Sequence, residues 1–171
     1  MKLIILFILL LTANLSFAQG TYTDENTGLT IDYPAGWKYE VMGSSPALTS
    51  DSGLIVIKSS FDDSPLSPED FVDEMTTNQE LVRLIVGASF GDDCDFLESG
   101  LISVAGVGSY YMIVEMDEDF GTDKIIRVKL KSITTNYNNY KLEFTILTAK
   151  IRFDYFLPQA EELLRTAYFS E

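Results

Sequence analysis

The chain contains no histidine among its 171 residues. That absence removes Ser-His-Asp and Cys-His nucleophile systems, His-based zinc sites and the usual proton shuttle near neutral pH. No lysine falls three positions after a serine, so the helical Ser-x-x-Lys arrangement is missing too. Cysteine occurs once, at Cys94, which excludes an internal disulfide and leaves stability to a core. Asp92, Asp93 and Asp95 surround that thiol and disfavour its thiolate, so Cys94 reads as a structural or incidental cysteine. Basic residues are also scarce, 12 against 26 acidic ones. Nucleic acid is thereby a poor partner, because binding a polyanion relies on clustered Lys and Arg, and anionic membrane surfaces are disfavoured for the same reason. Basic proteins, cationic ligands and divalent cations remain compatible, although solubility alone accounts for such a charge.

Long apolar runs are confined to the N-terminus. Lys2 precedes an unbroken run from Leu3 to Leu11, followed by small and polar residues ending in Ser16-Phe17-Ala18. The order is that of a cleavable secretory signal peptide over residues 1–18, cut between Ala18 and Gln19. The run stops at Thr12, short of the roughly 20 residues that span a bilayer, and none of that length recurs. Position 19 is Gln, which argues against a lipoprotein, and no membrane insertion is expected after cleavage. Cleavage takes away 18 of 171 residues and one lysine, leaving residues 19–171 with 11 basic and 26 acidic side chains, a net charge of −15. A chain of about 150 residues buries roughly 70% of its unfolded surface, enough for one self-sufficient domain. No repeat or linker divides it, so a single domain with one apolar centre is expected.

Leu29 to Tyr33 alternates apolar and polar residues and stops at Tyr33-Pro34-Ala35-Gly36-Trp37, a turn into a second strand through Val41. Leu54 to Ile57 reads as a short buried strand. The period then changes. Ser67-Pro68-Glu69-Asp70 is a helix start with a capping Ser and a proline and acids in the first turn. One or two helices follow, with a break at Thr76-Thr77-Asn78, and Gly87 to Asp95 reads as a loop.

Phe96 to Val104, Tyr110 to Met116, Lys124 to Thr134 and Tyr140 to Thr148 predict four strands in an antiparallel meander. In the last pair Ile126, Val128 and Leu130 share a face, as do Leu142, Phe144 and Ile146. Even-numbered residues inward on both strands call for an even-sum register and an odd loop, Tyr137-Asn138-Asn139, with Lys129 and Lys131 outward near Glu143. A last helix, from about Asp154 to Tyr168, carries an apolar stripe of Phe156, Ala160, Leu163, Leu164 and Ala167. With Asp154 as its cap, Pro158 falls in the first turn. These elements predict an α+β fold, an antiparallel sheet covered by the terminal helix and by the helix after Ser67.

Tyr33-Pro34-Ala35-Gly36-Trp37, Val104-Ala105-Gly106 before Tyr110-Tyr111, and the closing Phe153-Asp154, Pro158, Glu161, Leu163-Leu164-Arg165 and Phe169 resemble the PsbP-like and DcrB-like group of small proteins. The resemblance implies an αβα sandwich with a meander sheet, and binding scaffolds instead of enzymes. That group includes extrinsic proteins assisting photosystem II, bacterial envelope proteins and chaperones for secreted toxins. The missing histidines and scarce basic residues argue against the photosynthetic role, and the signal peptide against a cytoplasmic chaperone.

Asp51-Ser52-Gly53 matches the aspartic-protease triplet, but in one copy and after Leu48-Thr49-Ser50 where the protease has apolar strand residues, so it reads as a turn. Asp117-Glu118-Asp119-Phe120-Gly121-Thr122-Asp123 concentrates carboxylates between two strands. Asp117, Asp119 and Asp123 are the candidate calcium ligands, against a solvated hairpin tip that discourages edge aggregation. Val128 occupies the position of an EF-hand's closing Glu, so that pattern does not apply. Asp92, Asp93 and Asp95 form a second acidic cluster. A glycosidase-type carboxylate pair is set by spatial separation and has no sequence signature. Trp37 is a candidate for stacking on a sugar or peptide, against packing in the core, and Tyr137 and Tyr140 with Asn136, Asn138 and Asn139 form a polar aromatic tip. The expectation is a secreted non-enzymatic binding or accessory protein acting on a protein partner in the bacterial envelope, either periplasmic or extracellular. The alternative is a calcium-binding module using Asp117, Asp119 and Asp123.

Overall fold

Extended segments rich in β-branched and aromatic residues dominate a computed structural model, which describes residues 18–63, 65–91, 93–119 and 125–170. In chain order these are β1 (Ala18–Thr23), β2 (Leu29–Pro34), β3 (Lys38–Met42), β4 (Ser45–Ser50) and β5 (Gly53–Phe61). Helices α1 (Pro68–Thr77) and α2 (Gln79–Phe90) follow, then β6 (Asp95–Val104), β7 (Val107–Asp119), β8 (Ile125–Tyr137) and β9 (Tyr140–Ala149). A 3-10 turn at Lys150–Arg152, helix α3 (Phe153–Arg165) and β10 (Tyr168–Phe169) close the chain. Seven strands form one sheet in the order β3-β4-β5-β9-β8-β7-β6, and β1-β2-β10 form a second, small one. The β6-to-β9 meander is present as expected, and the fold is α+β.

The start of α1 follows its sequence signals. Ser67 Oγ accepts the Asp70 amide at 3.1 Å, with Pro68 in the first turn and Glu69 and Asp70 at the positive end of the dipole. Asn78 ends α1 and opens α2, its Oδ1 accepting the Leu81 amide at 3.1 Å. The predicted loop from Gly87 is shorter than expected. Helix α2 runs through Gly87 to Phe90 because Val82 and Val86 are buried, and it stops at Gly91, whose φ of 96° suits only glycine.

The expected single apolar centre is two, lying back to back through the large sheet. Phe71, Met75, Val82 and Val86 of α1 and α2 pack on Met112, Val114 and Leu130. On the opposite face Phe156, Ala160, Leu163 and Leu164 of α3, with Leu29 and Ile31 of the small sheet, pack on Ile55, Ile133, Phe144 and Ile146. Both faces of β8 are therefore covered, whereas β9 buries its even-numbered face and leaves the other half-buried.

That two-sided burial overturns the predicted register. Ile133 lies opposite Phe144 and Lys131 opposite Ile146, an odd-sum pairing closed by the two-residue turn Asn138-Asn139. Both asparagines have positive φ, 50° and 63°, as a tight turn matched to strand twist requires. Lys131 consequently does not approach Glu143. It is buried beneath α3, its Nζ 2.7 Å from Glu161 Oε1 and 3.8 Å from the Tyr111 ring centroid. Lys129 lies over the Phe153 ring at 4.7 Å, and Glu143 pairs with Lys141 at 3.2 Å.

Helix α3 also begins earlier than predicted. It continues directly from the 3-10 turn, with Arg152 at the cap position and no side-chain cap, so Asp154 is not the cap. Pro158 is inside the helix, where it cannot donate to the Asp154 carbonyl. The cause is Phe153, whose nearly complete burial draws the first turn onto the sheet.

Candidate binding groove

Strand β2 and helix α3 meet at the turn after Pro34. Gly36 takes a φ of 94°, the Trp37 amide donates to the Pro34 carbonyl at 3.2 Å, and the indole packs against Phe156 with ring centroids 5.7 Å apart. Trp37 is thus a core residue, as its position after a turn suggested, yet it also lines a surface depression. Thr166 Oγ1 is 2.9 Å from the Asp32 carbonyl and 2.7 Å from the Leu163 carbonyl, fastening the end of α3 to β2.

Between these elements lies a groove of about 510 Å³. Its lining combines apolar Pro34, Trp37, Pro158 and Leu163, of which Trp37 and Leu163 are buried, with the carboxylates of half-buried Asp32 and exposed Glu162. Positions 158, 159, 162, 163 and 166 recur at helical spacing, so one side of α3 forms a whole wall. Asp32 Oδ1 accepts from Thr21 Oγ1 at 2.8 Å, and Glu162 Oε2 accepts from Arg165 Nη1 at 2.7 Å in an exposed pair. An apolar lining with a few polar groups is the usual composition of a recognition site.

A cavity of about 570 Å³ lies between α2 and the start of β6, lined in part by Arg83, Val86, Cys94 and Phe96. Cys94 Sγ donates to the Phe90 carbonyl at 3.2 Å. Burial, and then Asp93, push its thiol pKa up, which matches an unreactive thiol. The volume is larger here, but its one lining carboxylate, Asp95, is paired with Arg127.

The described acidic positions of the two clusters meet on a cation, Arg127. Arg127 pairs with Asp95 and with Asp117, the latter at 3.3 Å, and buried Glu115 accepts from Lys150 at 2.6 Å. Of the candidate calcium ligands, Asp117 faces Arg127, whereas the Asp119 side chain and all of Asp123 lie outside the described residues. Asp92 lies outside them as well. Among the described residues no group of three or more acidic or thiol side chains is arranged to hold a metal ion. Asp51-Ser52 is the turn of the β4–β5 hairpin. Tyr137 stacks on Phe169 at 3.6 Å, joining the Asn138-Asn139 tip to β10.

Buried Asp24 was not singled out from the sequence. Its Oδ1 accepts from the Thr27 amide at 2.9 Å and Thr27 Oγ1 at 2.8 Å, and its Oδ2 from Ser59 Oγ at 2.8 Å. The carboxylate closes the β1–β2 turn and ties the small sheet to β5. Tyr22, 3.4 Å away, has its pKa raised by burial and then by the Asp24 charge.

Comparison with solved structures places this architecture. PsbP (CyanoP) from Synechocystis sp. PCC 6803 superposes over 92% of this chain and 96% of its own, at 15% identity and a TM-score of 0.62. The fold is PsbP-like. The same PsbP-like architecture recurs in the Saccharomyces cerevisiae Ran-binding protein Mog1p, over 88% of this chain and 94% of that one, at 9% identity and a TM-score of 0.57. LpqN of Mycobacterium tuberculosis, involved in cell envelope biogenesis, matches over 89% of this chain and 90% of its own, at 7% identity and a TM-score of 0.52. No protein-family model and no curated protein matches the sequence. Among the described residues no helix is long and apolar enough to cross a membrane.

Proposed function

We propose that this chain is an exported, non-enzymatic accessory protein that binds a protein partner in the bacterial envelope, and that the groove between β2 and α3 is its contact surface. Residues 1–18 act as a cleavable signal peptide, and residues 19–171 form the mature domain. The observation that carries this reading is the groove itself, an open and mainly apolar lining that includes two carboxylates, on a scaffold without histidine. The PsbP-like neighbours support it, since one is described as Ran-binding and another as involved in envelope biogenesis. Affinity capture with the exported protein from envelope extract tests the reading. A partner retained at about 0.1 M salt is expected, where the Debye length of roughly 10 Å still leaves charge contacts effective. Recovery of no partner across a salt series would refute it.

A further inference from the structure

We infer that the groove between β2 and α3 takes a lysine- or arginine-bearing extended segment of a basic partner protein. The inference rests on the binding role proposed above and names the occupant of that site. Long basic side chains lay their methylene stems along apolar surface while the charged head stays at the wet edge. The groove offers both kinds of surface, with buried Trp37 and Leu163 and the rings of Pro34 and Pro158 for the stem and the carboxylates of half-buried Asp32 and exposed Glu162 for the head. An apolar occupant would leave the two carboxylates without a partner contact, and an anionic one would be repelled by them.

Both carboxylates have room for an incoming cation. Thr21 engages Oδ1 of Asp32, and no described residue engages its Oδ2. Among the described residues Glu162 is held by Arg165 alone, an exposed pair three residues apart on one helix, which is among the weakest of ionic contacts and exchanges readily for an outside cation. The excess of 26 acidic over 12 basic residues attracts a basic partner at long range, while the groove supplies the local register.

Trp37 is the only tryptophan in the chain and lines the groove, so its emission reports occupancy. The exported protein is titrated with an oligolysine peptide, and in parallel with tetramethylammonium chloride. The expected result is a saturable change in Trp37 emission with the peptide. Asp32→Asn with Glu162→Gln weakens binding roughly tenfold, whereas Asp73→Asn with Glu74→Gln on the exposed face of α1, an equal charge change, leaves it within about twofold. Arg165→Ala frees Glu162 and tightens binding about twofold to threefold, so a gain is read even if the groove double variant folds poorly. No emission change, equal losses in the two double variants, or equal saturation by tetramethylammonium would overturn the inference. A captured partner whose retention ignores the groove substitutions would overturn it and leave the accessory role standing. Oligolysine binding without any captured partner would support the groove assignment and refute that role.

Discussion

Lys131 is the residue whose environment departs most from its appearance in the sequence, and its removal has a calculable consequence. Its ammonium lies under α3, 2.7 Å from Glu161 and over the Tyr111 ring, with only 6% of the residue exposed. Breaking a fully buried ion pair costs about 3–5 kcal/mol because one charge is left dehydrated. Glu161 keeps 27% of its side chain in solvent, so part of that cost is relieved by water. Lys131→Met, which preserves the stem, is therefore expected to lose about 1–2 kcal/mol, and Lys131→Ala about 2–3 kcal/mol through the added cavity. For a chain of this size each kcal/mol corresponds to roughly 2–4 °C in Tm. The assay is urea denaturation of Lys131→Met, Glu161→Gln and Glu143→Gln, with the two double variants that include position 131. A coupling of about 1 kcal/mol between positions 131 and 161 is expected, with none between 131 and 143. Coupling to Glu143 instead, or neutral single variants, would refute both the burial of Lys131 and the odd-sum register of β8 on β9.

Asp24→Ala should cost about 2–3 kcal/mol by stripping partners from Thr27 and Ser59, and hydrogen exchange should locate the loosened amides in β1 and β2. Stability should also fall at high pH through Tyr22. Its folded pKa is raised above the ordinary 10.0, so the stabilisation is fully present below pH 10 and is lost as the unfolded chain ionises while the folded one holds its proton. Tyr22→Phe should flatten that decline in melts followed from pH 8 to 11, values set about the ordinary tyrosine pKa of ~10. Ser67→Ala removes the cap of α1 and should cost about 1 kcal/mol in thermal unfolding. Asn139→Val places a β-branched residue at a φ of 63° and should cost about 1–2 kcal/mol by the same measurement.

The parts of the fold legible in the sequence are those whose signal is local. Ser67-Pro68-Glu69-Asp70 states a helix start within four residues, and β6 to β9 show as apolar runs bounded by turn residues. Strand β4 was missed because Ala47 and Leu48, adjacent in sequence, are both fully buried on opposite faces, which erases the alternation that announces a strand. The β8–β9 register failed for the same reason. With helices on both sides of the sheet, Leu130 serves one core and Ile133 the other, so parity no longer identifies a single inward face. Lys131 looked solvent-facing because its partner Glu161 lies on another element, with no periodic relation to β8. The groove was half legible. Tyr33-Pro34-Ala35-Gly36-Trp37 marks one wall, but Pro158 and Glu162 join it only once α3 packs against β2.

A photo-crosslinking residue placed at Gln159, within the groove wall, tests most directly whether this surface meets a partner. In exported protein carrying it, irradiation in the intact envelope should give a discrete adduct that is absent when the same residue replaces exposed Leu84 on α2. Equal adducts from both positions, or an adduct from position 84 alone, would contradict the account.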